Sequence, residues 1–185
     1  EAGISATNVR ARRHSGHGSE YLPATLVNAA RLFVQRGGRK LREMVFSFEA
    51  DGYVTQDLTI LADHVTDGGV VDTAFQQQRD AVLWAVVSSG ELIALTYERG
   101  QKVGGWGRHA TAGKFESVAV LATPGEEDEV WVIVSRMTGG VEKRYVERFR
   151  PDQFRAQAES DLKELFYVDA GVVERALHPG LSLID

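Results

Sequence analysis

Along the middle of the chain, short apolar runs come in pairs around a glycine. Residues 31–48 read RLFVQRGGRKLREMVFSF, with Phe33 before the Gly37-Gly38 pair and Leu41, Met44, Val45, Phe46 and Phe48 after it. Residues 82–97 read VLWAVVSSGELIALTY, with Ser88-Ser89-Gly90 between two apolar runs. Residues 130–149 read VWVIVSRMTGGVEKRYVERF, where Val141, Lys143, Tyr145, Glu147 and Phe149 alternate after Thr138-Gly139-Gly140. Runs of this length around a Gly-rich break predict three β-hairpins.

The hairpins recur. Phe33 to Trp84 is 51 positions and Trp84 to Trp131 is 47. A further apolar segment precedes the second and third hairpins, at Gly69–Phe75 and at Phe115–Leu121, and Val71 to Ser117 is 46 positions. Units of about 40–50 residues with about four strands each are the signature of β-propeller blades, which stack because a lone blade cannot bury both faces. The expected fold is mainly β, with about three propeller-like repeats over residues 22–150. A flexible segment, 1–21, precedes them. A short C-terminal helix and tail, 151–185, follow: in PDQFRAQAESDLKELF, residues 151–166, Phe154, Ala158, Leu162, Leu165 and Phe166 share a helical face behind Pro151. A second short helix is expected around Leu58, Ile60, Leu61 and Val65.

The stretch GGWGRHATAGKFESVAV, residues 104–120, poses the functional question. It holds Trp106, Arg108, His109 and Glu116 within eleven positions. The repeat makes it the outermost strand of one blade and the entry to the next. Trp106 is then expected to pack between blades, with Arg108, His109 and Glu116 pinning the crossover, and Trp106→Ala to unfold the domain. Tyr53 is expected to hold the place of Trp106 in the preceding blade. Read as chemistry instead, Ser117, His109 and Glu116 would make a nucleophile, base and orienting acid. Adjacent strand residues point to opposite faces, which sets Glu116 against Ser117. No G-x-S-x-G, phosphate loop or dinucleotide fingerprint is present.

Composition narrows the rest. The 185 residues carry a formal net charge of −5, so general duplex binding by phosphate neutralisation is not expected. Basic residues cluster at Arg10, Arg12, Arg13 and His14, and again at Arg36, Arg39, Lys40 and Arg42; both read as solvated loops and a strand edge, with contact of the first group to DNA left open. No cysteine is present, which excludes disulfides, thiolate metal sites and cysteine catalysis. His14, His17 and Glu20 have a metal-ligand spacing, but Gly16 and Gly18 argue against the helix that would use it. His64, beside Asp63 and Asp67, reads as a surface helix end. Glu126, Glu127, Asp128 and Glu129 read as a solvated hairpin tip. Neither a metal nor a cofactor is expected. The start, Glu1-Ala2-Gly3-Ile4, and the apolar end suggest a segment of a longer protein.

Certain residues carry a resemblance. Leu95-Thr96-Tyr97, Trp106-Gly107-Arg108-His109, Phe115-Glu116-Ser117-Val118-Ala119, Asp128-Glu129-Val130-Trp131 and Arg144-Tyr145-Val146-Glu147-Arg148-Phe149 resemble a family of virion proteins of bacteriophages and prophages. These are tail structural proteins of short-tailed phages, similar in role to the nozzle, or tail tubular protein B. Fainter likeness extends over residues 22–171, with its specific part between Leu95 and Phe149. The resemblance implies a structural role without catalytic residues, virion localisation in the tail, tail subunits as partners in a homo-oligomeric ring, and DNA only as passing cargo. A second class of function is a binding module that recognises a host glycan or a protein, with Tyr53, Trp106 or Tyr145 on a rim. A third is a hydrolase, which would need carboxylates converging near the propeller axis.

Overall fold

Eleven strands account for nearly all the regular structure among the described residues. The computed structural model describes residues 15–149 except 79, 125 and 126, together with residues 5, 7, 9 and 13. The helix expected over 151–166, the tail to 185, Arg10, Arg12 and His14 lie outside the described residues.

The strands form three antiparallel meanders. The first sheet contains β1 (Thr25–Val27), β2 (Ala30–Val34), β3 (Leu41–Ser47) and β4 (Gly52–Asp57), neighbours in that order. The second contains β5 (Val70–Gln76), β6 (Val82–Val87), β7 (Leu92–Glu98) and β8 (Val103–His109), and the third β9 (Lys114–Leu121), β10 (Glu129–Thr138) and β11 (Val141–Arg148). The three hairpins fall where the glycine breaks predict them. Ahead of the first sheet, Ser19 forms an isolated bridge with Gln35, and the Glu20 amide donates to the Val34 carbonyl at 2.8 Å. The helix expected over residues 58–65 is a single 3₁₀ turn, Asp63–Thr66. Leu58 and Val65 pack inward, whereas Ile60 and Leu61 face solvent.

Strand pleat decides what lies between the sheets. Alternate residues of β2, Leu32 and Val34, join Leu83, Ala85 and Val87 of β6 and Ile93 and Leu95 of β7 in one apolar cluster between the first and second sheets. The residues of β6 and β7 with opposite parity, Trp84, Val86, Leu92 and Ala94, join Val130, Val132 and Val134 of β10 in a second cluster. The two central strands of the middle sheet, β6 and β7, are therefore buried on both faces, which is why they read as unbroken apolar runs. Its two layers are built from fully buried Val, Leu and Ile side chains, each worth roughly 1.5–3 kcal/mol of burial.

The faces also correct the repeat. Trp84 and Trp131 are each the third residue of their strand, and the third residue of β2 is Leu32, which faces the first cluster. Phe33 points to the opposite side of the first sheet, so the structural period there is 52 positions, from Leu32 to Trp84, rather than 51. An aromatic near the strand start was a usable marker of the repeat but sat one residue out of phase, and in a strand one residue exchanges the faces.

Candidate functional site

The polar side chains with the most engaged positions lie at the two joints between sheets. Both joints share a backbone frame. At the first, the Val70 amide that opens β5 donates to the Gly38 carbonyl in the β2–β3 turn at 2.8 Å. At the second, the Phe115 amide near the start of β9 donates to the Gly90 carbonyl in the β6–β7 turn at 2.9 Å. Both acceptor residues are glycines with positive φ, 76° and 90°. A Cβ on Gly38 would come within 3.3 Å of Gly69 Cα, and one on Gly90 within 2.7 Å of Lys114 Cβ, so the close approach of successive sheets requires glycine there.

The first joint adds charge. Glu43 on β3 is almost fully buried and is hydrogen-bonded by the guanidinium of Arg99, the residue just after β7. The Tyr97 hydroxyl lies buried in the same place with no well-formed hydrogen bond. Burial raises its pKa above the ordinary 10, the nearby Glu43 carboxylate adds to the rise, and Arg99 opposes it. Trp106 on β8 sits against the same apolar cluster and donates its indole N–H to the Leu58 carbonyl at 3.0 Å. Around the turn, Arg39 pairs with Asp63 and Asp67, and Lys40 Nζ lies 2.6 Å from Asp57. Burial pushes the Asp57 carboxyl up, but Lys40 and the hydroxyl and amide of Thr59 outweigh it, leaving the pKa below the ordinary value. Of the second basic cluster of the sequence, Arg39 and Lys40 are thus engaged in local ion pairs, and Arg42 donates to the Gln35 side chain.

The second joint uses carboxylates on backbone amides. Asp72 Oδ2 on β5 accepts from the Ser117 hydroxyl at 2.6 Å and from the Val118 amide at 3.0 Å, both on β9. Asp128, only 5% exposed, accepts from the Gln77 and Gln78 amides at 2.8 Å each through one oxygen. A short acceptor at a strand end satisfies amides that the ladder leaves over. Between these two ties, Trp84 is flanked by the rings of His109 at 5.3 Å and Phe149 at 5.2 Å, and its indole N–H donates to Gln76 at 3.0 Å. Desolvation in this setting holds the His109 pKa below the usual imidazole value. The acidic run expected to be a solvated tip is therefore partly structural: Asp128 is buried, and Glu129 opens β10 and accepts from the Trp131 indole.

The sequence-predicted residues do not meet at one point. Trp106 belongs to the first joint and His109 to the second. Arg108 pairs with Glu91 inside the second sheet, and Glu116 pairs with Arg144 at 2.7 Å inside the third. Ser117, His109 and Glu116 each engage a different partner, respectively Asp72, the Trp84 and Phe149 rings, and Arg144. Tyr53 does not hold the place of Trp106: it stands opposite Phe46 on β3, about half exposed, with its ring edge-on to Phe46 at 5.6 Å. Tyr145 lies on the third sheet, its hydroxyl 2.9 Å from that of Thr138. Arg13 bonds the Ser15 carbonyl, and Glu20 accepts from the Gly37 amide at 3.0 Å, which commits it to the turn. Among the described residues no cluster of histidine and carboxylates could hold a metal ion.

Asp72, Glu43 and Arg99 escaped the sequence reading, which puts Asp128 on a solvated tip. A lone charged residue in or just after a strand carries no periodic signal. Only Asp128, placed just before an apolar run, stands where a strand-end tie would be sought.

The end of the β3–β4 hairpin lines a surface cleft of about 790 Å³ together with Arg99. Phe46 and Phe48 are among its lining residues and form an exposed aromatic corner with Tyr53, the Phe46 and Phe48 rings 5.2 Å apart and edge-on. No protein-family model and no curated protein matches the chain.

Proposed function

We propose that this chain is a structural domain of a phage or prophage tail protein, similar in role to the tail nozzle, and that its three sheets are consecutive blades of a β-propeller-like arrangement. The observation that carries the reading is the repeated joint. The second and third sheets each begin with an amide bonded to a glycine carbonyl in the turn of the sheet before, and each junction has an apolar layer. The resemblance over Leu95–Phe149 supplies the phage context. In this reading Trp106, Arg108, His109 and Glu116 hold the architecture and carry no chemistry. The domain sits among other tail subunits in a ring, and DNA meets it only in passage. Antibody against this chain, applied to purified particles and seen by immunogold electron microscopy, is expected to label the tail. Particles without label, with the chain confined to the soluble lysate, would overturn the assignment.

A second reading is favoured by the aromatic corner. Phe48 is 92% exposed beside Phe46 and Tyr53, and such a platform suits stacking against a sugar ring or an apolar protein surface. Under this reading the domain recognises a host glycan or a protein. A glycan array probed with the chain and with its Phe48→Ala variant separates the two: binding lost in the variant supports recognition, and no binding by either leaves the structural role alone.

A further inference from the structure

The pleat of β3 sets Leu41, Glu43, Val45 and Ser47 on one face. Leu41 joins the apolar cluster shared with the second sheet, and Arg99, in the 3₁₀ turn that follows β7, meets Glu43. Past Arg99 the hairpin opens into the cleft of about 790 Å³, where Val45, Ser47 and Gln56 line the wall with Phe48, Glu49 and Arg99. Small-molecule pockets have volumes of roughly 300–1,000 Å³.

The buried ion pair has a use at this place. Desolvation offsets much of the attraction in such a pair, so its net stabilisation is small. What Glu43 does is fix the guanidinium: it is 3% exposed and takes the Arg99 Nε, while Arg99 itself is about half exposed and lines the cleft. A fork held from behind loses less freedom when it binds. Around it stand the Glu49 carboxylate, the Gln56 amide and the Ser47 hydroxyl, which accepts from the Ala50 amide at 3.3 Å and keeps its own proton to donate. The charges of Arg99 and Glu49 offset one another, and Glu43 lies behind, so the lining offers an anion no net attraction. Charge is also depleted at the core of protein interfaces, which disfavours a protein as the occupant. Hydroxyl groups, which both donate and accept, match the set. Arg99, Glu49 and Gln56 each present planar groups that can engage neighbouring hydroxyls, and the Phe48 ring, 92% exposed, gives the C–H face of a sugar a surface to stack on. Resting on the recognition reading above, we infer that the cleft binds an uncharged saccharide, with Arg99 as the positioned donor, Glu49 as acceptor, Gln56 as both and Phe48 as the platform.

The isotope-labelled whole chain is titrated, with backbone amide shifts as the readout, to millimolar concentration with two panels. One holds neutral gluco-, manno-, galacto- and N-acetylglucosamine oligomers; the other holds uronic and sialic acid oligomers. At least one neutral member is expected to shift the amides of residues 45–56 and of Arg99 and to leave β11 unmoved. Glu49 and Gln56 are exposed, so Glu49→Ala and Gln56→Ala keep the fold, and each is expected to weaken binding by about three- to tenfold, the effect of one lost hydrogen bond. Binding of acidic members alone overturns the inference and leaves the recognition reading standing. Binding that Phe48→Ala abolishes but Glu49→Ala and Gln56→Ala leave unchanged does the same, because the sugar then sits on the aromatic corner outside the cleft. No shift from either panel overturns the inference together with the glycan form of that reading, and leaves a protein as the partner to seek.

Discussion

The joint between the first and second sheets and the joint between the second and third have the same backbone frame and different fillings. Each has an amide on a turn glycine and an apolar layer of alternate strand residues. Around that frame the first joint places a buried carboxylate under a guanidinium, with a tyrosine hydroxyl beside it. The second places two carboxylates on backbone amides and a tryptophan between a histidine and a phenylalanine. The shared part makes the sheets stack. The part that differs tells one sheet from another, because Glu43 is satisfied only by a neighbour that brings Arg99 and Asp128 only by one that brings the amides of Gln77 and Gln78. Hydrophobic layers alone would tolerate the wrong neighbour, since apolar contact is non-directional. That polar ties set the order of the sheets is a hypothesis, and the ties can be broken one at a time.

The largest effect is expected at the second joint's aromatic centre. Trp84 is 9% exposed and wedged between two rings, so Trp84→Ala should destabilise the chain by about 3–5 kcal/mol in urea denaturation. Trp106 is only partly buried and fixed by one hydrogen bond to a carbonyl, so Trp106→Ala should cost clearly less, and the expectation that Trp106 is the residue whose loss unfolds the domain passes to Trp84. Equal losses at the two tryptophans would mean that the apolar layers of the two joints do not differ in the way described.

Next comes the ion pair of the first joint. Arg99→Met leaves the Glu43 carboxylate buried without its partner. Because Arg99 is about half exposed and water screens it, the expected loss is about 2–3 kcal/mol rather than the larger figure for a fully buried pair. Adding Glu43→Met removes the stranded charge, and the double variant should regain a good part of the loss. A double variant no more stable than Arg99→Met would show that the pair contributes through packing and not through charge. Asp128→Ala at the second joint strands two backbone amides and should cost about 1–3 kcal/mol. Faster hydrogen exchange at Gln77 and Gln78, with exchange in β2 and β3 unchanged, would place that loss at the second joint; uniform acceleration would not.

How far the sequence told these joints apart follows from what patterns can carry. The hairpins were legible because Gly37-Gly38, Ser88-Ser89-Gly90 and Gly139-Gly140 interrupt apolar runs of strand length. The stacking of the sheets was legible from the period of the runs. The phase of the first repeat was not, because Phe33 and Leu32 are both apolar and only the pleat separates them. The ties were hardest to see. Asp72 contacts Ser117 across 45 positions, and Glu43 contacts Arg99 across 56. Nothing local to either residue announces a partner that far along the chain. The 104–120 stretch looked like a site because chemically rich residues are dense there, but strand geometry distributes them to two faces and two sheets.

The smallest effects expected are those of pH, and they distinguish the joints by sign. Burial lowers the His109 pKa below 6.5. As pH falls, the unfolded chain takes up the proton first, so the contribution of a neutral His109 is complete above about pH 6.5 and declines below it. At the first joint the Tyr97 pKa lies above its ordinary 10. Here the unfolded chain loses its proton first, so the contribution is complete below pH 10 and declines as pH rises beyond it. Asp57, whose pKa is lowered from 3.8, acts only in acid well below the histidine window. Urea midpoints measured across pH should therefore fall on both sides of a plateau. His109→Phe is expected to flatten the limb below about pH 6.5 and leave the alkaline limb alone. Tyr97→Phe should do the reverse at little cost near neutrality, since the hydroxyl it removes makes no well-formed hydrogen bond. If His109→Phe left the acid limb intact, the histidine would not be desolvated by Trp84 and Phe149, and the aromatic filling that sets the second joint apart from the first would have to be redrawn.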